Sequence, residues 1–197
     1  LMLVEGWPAM EIPRGLLRVE GRAVEFAAPE ASMTAADGRK FALKANFTVD
    51  LDEPMPRTGH LALKAQGPLA AAFDLLDQST RQSMQSAGIA LAGIDGKLEA
   101  NVNAKLPLTP QLQLRDAVVE GKVRVSDGKV RNVLGSFDAQ GVNLVVDLSA
   151  TAAEGKAEFL LKGVPARASW QRVYAVPADR QPPLRITAML DDNERAQ

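Results

Sequence analysis

Cysteine is absent from this sequence, and histidine occurs once, at His60. Without thiols there are no disulfides, zinc–thiolate sites, iron–sulfur clusters or thiol nucleophiles. Oxidising and reducing compartments both tolerate such a chain, so the absence does not locate it. A Ser-His-Asp arrangement has only His60 to build on, and nothing near it marks a nucleophile elbow. Aromatic residues are sparse as well. Trp7, Trp170 and Tyr174 are too few and too scattered to stack a run of bases. Neither sign of charge dominates, with 23 Lys and Arg against 24 Asp and Glu. A net charge of −1 gives no general attraction to nucleic acid or anionic head groups. No apolar run approaches the ~18 residues that a membrane-spanning helix needs. The opening LMLVEGWPAMEIP lacks the basic start, continuous apolar core and cleavage site of a signal peptide. A start at Leu1 and an end at Glu194-Arg195-Ala196-Gln197 point to an excerpt of a longer protein, whose membrane anchor would lie outside it.

What the chain has in abundance is alternation. From Lys97 to Leu106 every second residue is apolar: Leu98, Ala100, Val102, Ala104 and Leu106. Lys97, Glu99, Asn101, Asn103 and Lys105 stand between them. Successive strand side chains point to opposite faces, so this stretch makes a ribbon with one greasy and one wet side. At ~3.3 Å per residue it is roughly 30 Å long. Phe41, Leu43, Ala45 and Phe47 alternate in the same way, continuing through Val49 and Leu51. Leu61, Leu63 and Ala65 follow after a break at Asp52 to Arg57, as a hairpin partner.

The remaining strands fall in order. Leu17 and Val19, then Val24 and Phe26, form one or two short strands, and Pro29 to Gly38 supplies turn chemistry. Leu112 and Leu114 begin a strand that continues through Val119. Val123 and Val125 make the next, ending at Ser126-Asp127-Gly128. Leu144, Val146, Leu148 and Ala150 alternate, as do Ala157, Phe159 and Leu161. Ala166 to Trp170 and Leu184 to Leu190 close the series around a Pro-rich bend at Pro177 to Pro183. One helical insertion is expected over 68–87. Gly67-Pro68 opens it, and Leu69, Ala72, Phe73 and Leu76 recur at helical spacing. Ser79 with Gln82 resembles a capping box, and Gly88 is a stop signal. The expected architecture is mainly β, a meander of antiparallel strands in one elongated unit over residues 1–197 with a short helical insertion, and the resemblance given below implies that its sheet is long and curved.

Small motifs lead nowhere catalytic. His60 reads as a solvent-facing strand residue. The carboxylates Asp50-Asp52-Glu53 and Asp191-Asp192 sit at strand ends and read as solvated turns, not metal ligands. GIALAGIDGK at Gly88 to Lys97 has Leu98 where a phosphate loop needs Ser or Thr. Asn46-Phe47-Thr48 has only the form of a glycosylation acceptor. Arg167, Arg172, Arg180 and Arg185, with Asp179 among them, read as a solvated face. The sequence therefore predicts no enzyme, cofactor, metal site or nucleic-acid partner.

The apolar faces are rich in alanine, at Ala45, Ala65, Ala100, Ala104, Ala150, Ala157, Ala166 and Ala168. Alanine beside Leu and Val leaves room unless a bulky opposite layer fills it. The Phe73 helix fills part of it on one reading. A helix of ~15 Å cannot cover strands of ~30 Å, so apolar surface remains for a ligand or a neighbouring segment.

Three strings resemble a known family. AQGPLAAAFDLLD at Ala65 to Asp77, IDGKLEANVNAKLPL at Ile94 to Leu108 and GVNLVVDLSATAAEGKAEFLLKGVPARASW at Gly141 to Trp170 look like the AsmA-like superfamily. Within it the likeness is greatest to the large YhdP-type envelope proteins of Gram-negative bacteria, relatives of TamB. The resemblance covers about Ala65 to Trp170. It implies a taco-like sheet with an apolar concave groove and no catalytic residues. It also implies a periplasmic place, an inner-membrane anchor on a segment not present here, and a part in carrying phospholipid towards the outer membrane. Candidate groove-lining residues are then Phe41, Leu43, Ala45, Phe47, Leu61, Leu63, Leu98, Ala100, Val102, Ala104, Leu106, Leu144, Val146, Leu148, Phe159 and Leu161. Partners would be phospholipid or another acyl-chain lipid and neighbouring segments of the same chain. Two alternatives stay open: a structural spacer or protein-interaction module whose apolar face is filled, and a hydrolase using His60.

Overall fold

A computed structural model describes residues 10–35, 38–74, 94–109, 116–133, 137–177 and 180–188. Its strands are β1 (Met10–Glu20), β2 (Ala23–Thr34), β3 (Lys40–Asp50), β4 (Thr58–Pro68), β5 (Asp95–Pro107), β6 (Val118–Val133), β7 (Phe137–Leu148), β8 (Ala152–Leu161), β9 (Val164–Val173) and β10 (Arg185–Ala188). A short helix, α1 (Leu69–Asp74), follows β4. All ten strands form one antiparallel sheet in the order in which the chain makes them. The sheet does not close: β1 and β10 are its two edges. A mainly β, curved open sheet with a short helix is thus the fold.

Tight turns explain why neighbours in sequence pair in space. Between β8 and β9 only Lys162 and Gly163 intervene, both with positive φ, at 53° and 85°. Two such residues make the hairpin turn whose twist matches that of the flanking strands. Between β3 and β4 the carboxylates hold the loop. The Asp50 side chain accepts from the Asp52 N–H at 2.8 Å, and Glu53 accepts from the Thr58 N–H at 3.1 Å.

Four expectations from the sequence need correction. Pro29 is no turn: β2 runs through it to Thr34. The register slips between Ala28 and Ala31, and β1 slips beside it around Arg14. Proline lacks the N–H that a ladder needs, and a bulge beside an edge strand is where the sheet tolerates it. Ser126-Asp127-Gly128 does not end a strand either, because β6 is continuous from Val118 to Val133. Asp127 takes a left-handed φ of 54° inside a bulge, a conformation that Asp adopts more readily than most residues. Ala150 leaves the apolar face, being exposed in the turn after β7. Leu112–Leu114, Leu76, Ser79, Gln82, Gly88, Asp179, Leu190 and Asp191-Asp192 lie outside the described residues. Pro68, read as the first residue of a helix, is the last of β4 and pairs with Lys97.

Burial is concentrated at one end of the sheet. There α1 lies over β3, β4 and β5, and Ala71 packs with Phe41, Leu43, Ala65, Met33 and Ala31. Leu69 meets Ile94 and Val125 in a second, smaller cluster. No large side chain among the described residues is fully buried. Domains ordinarily bury an apolar sheet face under a second layer. Among the described residues, no second layer covers most of this sheet.

Candidate functional site

Antiparallel pairing sets the residues of one face in rows across the strands, because directly opposed residues share a side. One row carries Leu43 on β3, Ala65, Ala100, Val123 and Val146, and ends on Gly155 and Trp170. The row beside it carries Ala45, Leu63, Val102, Gly121, Leu148 and Ala153. Phe41, Leu98 and Leu144 fall in a third row, and Phe47, Leu61 and Ala104 in a fourth. Leu106 faces Gly59 beyond them, while Phe159 and Leu161 extend the face on β8. All sixteen residues proposed from the sequence therefore share one face. Phe41 and Leu43 are buried beneath the α1 end; the other fourteen are half-buried.

The face is apolar over about seven strand spacings, or roughly 34 Å, from β2 to β9. Its ends differ. Towards β1 it runs onto Leu17 and Val19, which are 70% and 61% exposed. Towards β9 it meets Arg172, which pairs with Ala153 and so shares the apolar-face register. Arg172 is exposed, as a solvated face requires, but it lies on the other side of the sheet from Arg167. Arg167 does face outwards, paired to Glu158 at 3.0 Å.

The aromatic rings of this face lie down on neighbouring glycines. A Cβ on Gly59 would come within 2.5 Å of the Phe47 ring, and one on Gly67 within 2.5 Å of the Phe41 ring. Phe26 covers Gly15 in the same way, at 3.0 Å, and Trp170 covers Gly155. Aromatics folded flat over strand glycines recover the packing that glycine lacks. They also keep the apolar face low, since a flat ring projects less than an upright one. Gly155→Ala sets its methyl against the Trp170 indole, so the ring must swing up from the face. The expected cost is about 1–3 kcal/mol in urea unfolding, with a shift of Trp170 emission towards that of exposed indole.

Sequence reasoning missed Trp170, Val123, Val125 and Phe26 as members of this face. Their signal was present, since Ala166, Ala168 and Trp170 alternate and so do Val24 and Phe26. Ala28, Ala31 and Met33 could not be found while Pro29 was taken for a turn.

The opposite face is polar and carries two hollows. Twisted sheets are saddle-shaped, so each face is hollow along one diagonal. One hollow of about 740 Å³ lies across β1 to β6. A smaller one of about 230 Å³ holds His60 with Asn46, Thr48, Lys105 and Glu120. His60 is exposed there, opposite Thr48 and Lys105. The Asn46 amide donates to Glu25 at 2.9 Å and is half-buried. Among the described residues no three His, Asp or Glu side chains converge as a metal site requires. No described helix is long and apolar enough to cross a membrane. Comparison with models of protein families, with curated proteins and with solved structures finds no match for this chain.

Proposed function

We propose that this chain is a groove segment of a bridge-like lipid carrier of the bacterial cell envelope, periplasmic and anchored in the inner membrane by another segment. It shields phospholipid acyl chains on the apolar trough and performs no chemistry on them. The observation that carries this reading is the single layer formed by the described residues, in which fourteen of the sixteen candidate lining residues are only half-buried. An uncovered apolar face of that size calls for an occupant. The likeness of Ala65–Trp170 to the AsmA-like superfamily supports a lipid in that place.

Magnitudes favour two acyl chains over one. Burial contributes ~0.8 kcal/mol per methylene, so half-shielding a chain of about fourteen methylenes stabilises it by on the order of 5 kcal/mol. That is an affinity between millimolar and micromolar, too weak to hold a single-chain fatty acid for long. A diacyl phospholipid doubles the gain while its head group stays in water. Trp170 is placed to report occupancy. With Trp7→Phe removing the other indole, phospholipid brominated on its acyl chains should quench Trp170 in delipidated protein as the lipid is added. Phospholipid should also appear in mass spectra of the protein as purified. Absence of both sinks the carrier reading.

The spacer reading keeps one observation of its own. Leu17 and Val19 are exposed beside the unpaired edge of β1, where a neighbouring segment could extend the sheet. In that case the trough is covered by protein, and added lipid leaves Trp170 unchanged.

A further inference from the structure

We infer that the larger hollow of the polar face is a binding site for a phosphoryl-bearing polyanion. It lies behind the sheet from the apolar trough and does not depend on what the trough carries. Its walls run from Pro13 and Pro29, at the β1–β2 bulge, to Lys122 and Arg124 on β6. Four cations line it, Lys44, Lys64, Lys122 and Arg124, against two carboxylates, Glu30 and Glu99. Lys44 stands directly opposite Lys64, and Asn101 links Lys64 to Lys122 in the same row. Three ammonium groups are therefore strung along four strands, a span of roughly 14 Å.

Like charges opposed across a ladder are destabilising, and this sheet otherwise relieves them. Asp147 opposes Glu154, but Lys122 pairs with Asp147 at 3.0 Å and Gln171 donates to Glu154 at 2.9 Å. Arg14 opposes Glu30, Arg18 opposes Glu25 and Asp95 opposes Lys129. Lys44 and Lys64 have no such relief, since neither has an ion-pair partner among the described residues, whereas Arg124 stands opposite Glu99 across the β5–β6 ladder. A local rule broken without compensation marks a functional site more often than a defect. What completes it is an anion that meets several donors at once. Ammonium groups are point charges that suit the several oxygens of phosphate, and the Arg124 guanidinium can grip two of them. Gln66, Asn101 and Ser32 add neutral donors on the same wall. A hollow of this volume takes a ligand of diphosphate size or larger. The phosphoryl group can come from a soluble anion or from a lipid surface, and the test separates the two.

The full chain is titrated calorimetrically with inorganic pyrophosphate at low ionic strength, and separately floated with phosphatidylglycerol or phosphatidylcholine vesicles. Wild type should bind pyrophosphate or the anionic vesicles, and added salt should weaken that binding. Lys44→Gln with Lys64→Gln should lose at least about tenfold in affinity, because two charge-assisted contacts go. Lys156→Gln, on the same polar face but outside the hollow, should change little. Pyrophosphate binding without vesicle capture assigns a soluble ligand; vesicle capture alone assigns a lipid surface. Lys64→Arg keeps the charge and should keep the binding. The double variant should melt no lower than wild type, since it removes a repulsion. Binding of neither probe, or equal losses from Lys156→Gln and the double variant, overturns the inference, and so does a folded Lys64→Arg that no longer binds.

Discussion

Gly121→Ala should destabilise the protein by more than about 3 kcal/mol, the upper end of what one methyl group does. Gly121 lies within β6, between Val102 on β5 and Leu148 on β7, with φ at 150°. Two costs add there. L side chains rarely adopt that backbone region, and holding one in it costs on the order of 1–3 kcal/mol. The new Cβ would also strike the Asn101 carbonyl oxygen and come within 2.8 Å of the Val102 Cα. Both are backbone atoms and cannot rotate away, unlike the Trp170 ring above Gly155. The strands must part instead, and each ladder hydrogen bond weakened costs about 1 kcal/mol more. Urea unfolding of the single variant measures the sum. A loss under about 1 kcal/mol would mean that β5 and β6 do not approach as closely at Gly121 as this structure has them.

The same stretch marks where the sequence could be read and where it could not. Alternation from Leu98 to Leu106 assigned each side chain to a face, since the strand period is two and errors of parity do not accumulate within a strand. The sixteen candidate residues share a face for that reason. Whether the face is covered was not legible, because alternation is the same under a second layer and beside open water. Local turn chemistry misled at Pro29 and Ser126-Asp127-Gly128. Bulges use the same residues as turns and keep the strand going. The lysine hollow was hidden for a different reason. Lys44 and Lys64 lie on different strands and meet only through the β3–β4 register, which no local pattern states. Trp170 came into place in the same way, through its pairing with Gly155.

Val102→Asp should abolish lipid uptake in a chain that still folds. Val102 stands in mid-trough between Leu63 and Gly121, and it is half-exposed. A carboxylate there can reach water, so the loss is mainly the valine's transfer energy, about 1–2 kcal/mol. In a filled core the same charge would be unpaired and dry, a cost that unfolds a marginal domain. Acyl chains crossing the trough must pass that carboxylate, and shielding of their methylenes is broken at its middle. Asn101→Asp puts the same charge one residue away on the polar face, between Lys64 and Lys122. It should change stability by no more than about 0.5 kcal/mol, in the favourable direction, since both neighbours are cations. It should leave lipid uptake intact and weaken pyrophosphate binding, whereas Val102→Asp does the reverse. Melting temperature, acyl-chain quenching of Trp170 and pyrophosphate titration on both variants separate the possibilities. An unfolded Val102→Asp would favour the spacer, whose trough is filled by protein. Equal effects of the two variants on all three readings would mean that residues 101 and 102 do not face opposite ways, and the register of β5 would be wrong.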